Sequence, residues 1–128
     1  MQADRLERGL FLVFSNATSE DEIPEFHRWY DGVHIHEVLR VPGVRAATRY
    51  ELDPDQMPPG GADALGRRFL CAYEIEADDL ARVRDALMAT SAERSHSAAF
   101  QLDPMPILAI FRQLGPRVSS PGALDDNQ

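Results

Sequence analysis

Two short, unbroken apolar runs constrain this chain most. They are Gly9-Leu-Phe-Leu-Val-Phe14 and Phe69-Leu-Cys-Ala-Tyr73. Each is too short for a buried helix and too uniformly apolar for a strand wetted on one side, so both predict central strands covered on both faces. A third segment, Val44 to Leu52, alternates instead. Ala46, Thr48, Tyr50 and Leu52 point one way, Arg45, Ala47, Arg49 and Glu51 the other, as expected of a half-exposed strand. Arg45 and Arg49 then belong to a solvated face or a dimer contact.

Helical spacing fills the gaps. Ser19-Glu-Asp-Glu22 has capping-box spacing, and Ile23, Phe26, Tyr30 and Val33 follow as an apolar stripe. Pro24 falls in the first turn, where its missing N–H is tolerated. This helix should reach about Leu39, where Val41-Pro-Gly43 stops it. Asp53 to Gly66, rich in Pro and Gly, predicts a long loop that covers a site or moves. A strand follows over 68–75. A second helix is expected next, capped by Asp78, striped by Leu80, Val83 and Leu87, and ending near Ala92. Ser95 to Asp103 connects it to a last strand, Met105 to Phe111, whose Pro106 favours a strand start or an edge. The order β-α-β-β-α-β predicts an α+β, ferredoxin-like domain with a four-stranded antiparallel sheet and the two apolar strands in its centre. The domain is expected over 1–117, with a loose tail over 118–128.

Two helices cover one face of such a sheet. The other face keeps apolar side chains, and the simplest remedy is a homodimer packed sheet against sheet.

Bulk properties exclude several classes. A chain of 128 residues, 44% hydrophobic, suits one folded domain. No apolar run approaches the ~20 residues of a membrane helix. The charged start, Met1-Gln-Ala-Asp-Arg5, has no signal-peptide core, so a cytoplasmic location is expected. A net charge of −8 argues against nucleic acid as partner. All 13 basic residues are Arg, which excludes lysine Schiff-base chemistry. Cys71 is the single cysteine, so neither a disulfide within the chain nor a Cys-rich metal site can form. Nucleotide-cradling Gly motifs and a Gly-x-Ser-x-Gly elbow are absent, which argues against nucleotide cofactors and serine hydrolysis.

Trp29-Tyr-Asp31, then His34, then Val41-Pro-Gly43, with an aromatic first strand and Arg49-Tyr50 after the Pro-Gly, resembles the EthD-like branch of the dimeric α/β-barrel superfamily. The resemblance implies a dimeric α/β barrel and a small-molecule partner. Relatives of this fold include muconolactone-type isomerases, polyketide cyclases, quinone-forming monooxygenases, haem-degrading enzymes and decarboxylases, so the fold leaves the reaction open.

His34 is the leading candidate. At about 100° per residue it projects within roughly 20° of Ile23, beside Tyr30, and so faces the sheet. It is either a core histidine bonded to a carbonyl or a general acid–base group. Asp31, three residues earlier, would orient it or bond the nearby backbone; Glu37, three residues later, could do the same. Tyr50 and Tyr73 would hold a substrate oxygen or serve as core. Phe26, Trp29, Tyr30, Phe69, Cys71 and His96 are candidate pocket walls, each also readable as packing or, for His96, as surface. His27 lies near the same stripe as His34, but no third ligand accompanies them, so no metal and no cofactor are expected. The expected function is a cofactor-independent isomerase, cyclase, dehydratase or lyase acting on a small apolar, aromatic or polyketide-type molecule. The alternatives are a cofactor-free monooxygenase and a non-catalytic small-molecule-binding or accessory dimer.

Overall fold

Register decides which residues the helices cover. The computed structural model describes residues 6–122, with strands β1 (Glu7–Ser15), β2 (Val44–Glu51), β3 (Phe69–Ala77) and β4 (Ile107–Arg112). They form one antiparallel sheet in the order β2-β3-β1-β4, so the two apolar runs are central as their composition requires. Val13 pairs with Cys71 and Phe11 with Tyr73, and these side chains turn toward the helices. Leu10, Leu12 and Phe14 turn to the opposite face, opposite Phe111, Ala109 and Ile107 of β4.

Helical structure runs unbroken over 23–39 as α1 (Ile23–Trp29), a π segment (Tyr30–His34) and α2 (Ile35–Leu39). A 3-10 turn, Glu20–Glu22, leads in. Ser19 precedes it in extended backbone, but its hydroxyl makes no cap bond, so the expected capping box does not form. The π segment corrects the expected stripe. A wider turn advances each residue by a smaller angle. Val33 therefore stops short of the sheet and is 37% exposed, while His34 comes round beneath the rings of Trp29 and Tyr30.

α3 (Leu80–Ala89) buries Leu80, Val83 and Leu87, as its stripe predicts. Its cap is Asp79, not Asp78: Asp79 has extended backbone and accepts the Ala81 N–H at 2.9 Å. The helix stops at Ala89, and a 3-10 turn, Ser91–Glu93, follows. Gly43 makes the join between the halves possible. It has φ +94°, and a Cβ there would stand 2.5 Å from Val83 Cγ2, so no other residue fits without a shift.

The core lies between the sheet and the helices, centred on Phe26, Tyr30, Tyr73, Ile75 and Val83. α3 packs on β3 and β1, leaving β4 at the margin. No helix among the described residues is long and apolar enough to cross a membrane. Of the tail expected from 118, residues 118–122 are exposed and 123–128 lie outside the described residues.

Candidate functional site

Side chains from the helical run 23–39 and from β2 and β3 meet under the π segment. His34 stacks on Trp29 at 4.6 Å between ring centroids and meets Tyr30 edge-on at 5.0 Å. Its Nδ1 is buried and has no hydrogen-bond partner. The nearest carboxylate is Glu37, 4.0 Å away. Glu37 is already engaged: it accepts the Ser95 N–H at 3.1 Å and the Ser95 hydroxyl at 3.0 Å. Burial pushes the His34 pKa down to about 4; Glu37 opposes the shift, and the charges of Arg94 and His96 add to it. The imidazole is therefore neutral at pH 7.

Asp31 does not orient His34. It is 63% exposed and pairs at 2.9 Å with Arg49, whose own side chain is only 14% exposed. Arg49 is the residue that alternation misplaced. Its partner in the register is Cys71, so it points under the helices rather than to solvent. There its guanidinium lies 4.4 Å from the Tyr30 ring centre and 5.3 Å from that of Phe26. Arg45, by contrast, is exposed and sits 3.5 Å from Glu76.

Tyr73 and Tyr30 are fully buried, and neither hydroxyl has a hydrogen bond of regular geometry. Trp29 Nε1 is likewise unpartnered. The two hydroxyls and the Cys71 thiol lie near enough to act on one another's protonation, and burial drives all three pKa values upward. All three stay protonated at neutral pH. Phe26 and Phe69, 5.1 Å apart, close the floor, and Phe11 stacks on Tyr73 at 5.6 Å. His27 stands edge-on to Phe69, with its pKa lowered chiefly by burial.

Tyr50 does not join this group. It pairs with Leu70 on the opposite sheet face and is 54% exposed, because β2 turns Ala47 and Arg49 inward and Thr48 and Tyr50 outward. His96 is exposed, yet close enough for its charge to reach His34. Sequence reasoning also missed Arg94. It follows α3 and is tied to the Leu87 carbonyl at 2.7 Å and the Thr90 hydroxyl at 2.8 Å. Only its place after the last turn of α3, where cations meet free carbonyls, could have marked it. Among the described residues no group of three or more His, Cys, Asp or Glu is arranged to hold a metal ion.

No protein-family model matches the chain, and no curated protein matches it. Among solved structures it is similar to the crystal structure of an ethyl tert-butyl ether d (EthD) family protein from Bacillus halodurans C-125. That match has 14% identity and a TM-score of 0.55, and covers 84% of this chain and 99% of the other. At such identity the likeness speaks for the fold alone. The chain thus has an EthD-like, ferredoxin-like α+β fold, in keeping with the pattern of Trp29, Tyr30, Asp31 and His34 followed by Val41-Pro-Gly43.

Proposed function

We propose that this protein is a cofactor-independent acid–base enzyme in which His34 moves a proton on a small, largely apolar molecule. The reaction class is isomerisation, cyclisation, dehydration or lyase cleavage. One observation carries the reading: His34 Nδ1 is buried, neutral and without a hydrogen-bond partner, against the ring of Tyr30, whose hydroxyl is buried with that of Tyr73 and makes no hydrogen bond of regular geometry. An orphaned buried polar group costs about 1–3 kcal/mol. Native cores keep few of them, and each calls for a partner, which a ligand's polar atoms would supply here. A purely structural histidine would bond a carbonyl. Neutral His34 takes the proton, Tyr73 or Tyr30 donates to the developing oxyanion, and Arg49 fixes the Tyr30 ring from the strand side. Trp29, Phe26, Phe69 and Cys71 form the walls, and His96 stands at the rim.

Loss of α-protons to D2O from 2-tetralone, a small apolar enolisable ketone, tests this by proton NMR. The protein should accelerate exchange, and His34→Gln should lose roughly 10²-fold of that acceleration while remaining folded. Equal exchange by the variant would move the proton carrier elsewhere.

A second reading, a non-catalytic small-molecule-binding dimer, is favoured by a different observation. The hollow of about 580 Å³ at the sheet end and that of about 530 Å³ along β4 both lie away from His34. In either reading the chain pairs through its open sheet face. Leu10, Phe111 and Tyr50 are 39%, 56% and 54% exposed there, apolar surface that such pairing would remove from water. Sheet-to-sheet pairing should bury at least ~1,000 Å². A monomer by light scattering at micromolar concentration would exclude it.

A further inference from the structure

On the helix side of the sheet, β4 has no helix above it. Leu108 and Ile110 of β4 point to that side, opposite Val13 and Phe11, and are 61% and 38% exposed. With Phe11, Leu87 and Met88 they line a groove of about 530 Å³ between α3 and β4. That volume falls within the roughly 300–1,000 Å³ of small-molecule sites. The lining is apolar apart from Ser91 and two arginines, Arg84 and Arg94.

The two arginines differ. Arg84 is paired with Asp85 at 3.0 Å. Arg94 is half-buried and held by two neutral oxygens, the Leu87 carbonyl and the Thr90 hydroxyl, and forms no ion pair among the described residues. Fixed at two points, it loses little freedom on taking a ligand, and a guanidinium retains N–H groups beyond those two bonds. Glu37 and Glu93 border a smaller hollow on the other side of Arg94, yet neither forms an ion pair with it among the described residues; at the margin of an apolar groove this guanidinium is locally complementary to an anion.

We propose that this groove is a binding site for a small amphipathic monoanion, an aryl- or alkyl-carboxylate. Its apolar body lies on Phe11, Leu108 and Ile110, and its carboxylate meets Arg94. The site shares Arg94 with the surroundings of His34 but does not depend on the His34 reading.

The probe is 4-phenylbutyrate, titrated by calorimetry against its neutral counterpart 4-phenylbutanol. The acid should bind, and the alcohol should bind about tenfold more weakly. Leu108→Glu places a like charge at an exposed groove position, spares the core, and should weaken the acid by about tenfold. Arg94→Gln should do the same; because Arg94 also ties the end of α3, Leu108→Glu decides the matter if Arg94→Gln unfolds. No binding of the acid at millimolar concentration, equal affinity for acid and alcohol, or an unchanged Leu108→Glu titration overturns the proposal. The exchange assay on the same proteins keeps the two ideas apart. Exchange without phenylbutyrate binding removes this site alone, and binding without exchange removes the His34 reading alone.

Discussion

The helix-covered face of the sheet has two halves of opposite character. Under the run 23–39, β2 and β3 are sealed by aromatic rings, and the polar atoms trapped there are left unpartnered. Along β4 the same face is open and apolar, with one cation that lacks an anion. The closed half stores its unmet polarity in the dry interior, where protonation states shift. The open half keeps it at a margin, where a ligand can reach it. Coverage decides the difference: the helical run and α3 together span three strands, and the fourth strand is left over.

The largest expected effect separates the halves by stability. Phe26 is fully buried among Tyr30, Phe69 and Phe100. Phe26→Ala should cost about 3–5 kcal/mol in urea unfolding. Leu108→Ala, at a position 61% exposed, should cost less than about 1 kcal/mol. Comparable losses would mean that β4 is covered in solution, which the sheet-face dimer alone would not explain.

Next comes acid. His34 has a folded-state pKa of about 4 against 6.5 when free. As pH falls, the unfolded chain takes up this proton first. Stability is therefore complete above pH 6.5 and is lost progressively down to about 4, by up to ~3 kcal/mol from this group. Glu37 works against the shift, while Arg94 and His96 work with it. The carboxylates titrate in the same range, so the readout is the difference from His34→Gln. That variant should lose less stability between pH 6.5 and 4 than the parent; parallel curves would show that His34 charges freely.

The strand order, the central pair and the α3 stripe were legible because apolar area leaves few ways to arrange six elements. His34 was expected on a regular sheet-facing stripe; the π segment instead sets it against the rings of Trp29 and Tyr30. Nothing in Tyr30-Asp-Gly-Val-His34 announces a wide turn. Arg49 and Tyr50 were exchanged for a plain reason. In β2 both faces carry small and polar residues, so alternation gives the period but not the phase. The phase is set by pairing with β3, and a guanidinium that lies on aromatic rings can be the inward residue. Arg94 was hidden in a connection whose geometry depends on where α3 ends.

A smaller effect tests whether the unmet polarity of the closed half is a cost. Tyr73→Phe and Tyr30→Phe each remove a buried hydroxyl that makes no hydrogen bond of regular geometry. Folding should be unchanged or strengthened by up to about 1 kcal/mol, whereas proton exchange from 2-tetralone should slow for whichever tyrosine faces the substrate oxygen. A destabilisation above ~1.5 kcal/mol would show that the hydroxyl is satisfied after all, and would weaken the case for a site kept at the expense of stability.

The smallest effect concerns the ion pair between Asp31 and Arg49, which joins the helical run to β2. Asp31 is 63% exposed, and its bond to Arg49 at 2.9 Å faces water on the aspartate side. Such pairs contribute about 0–1 kcal/mol. Arg49 is held chiefly by the Tyr30 and Phe26 rings beneath it, which lie 4.4 and 5.3 Å away. Asp31→Asn should therefore cost less than about 1 kcal/mol, with half of even that removed by molar salt in the parent. It should also leave the acid-unfolding difference assigned to His34 intact, since the carboxylate beside that ring is Glu37. Arg49→Met keeps the apolar stem over the rings and gives up the charge, and should cost more than Asp31→Asn. If Asp31→Asn proves the costlier of the two, the guanidinium depends on its anion rather than on the rings, and the closed half is held from its rim instead of its floor.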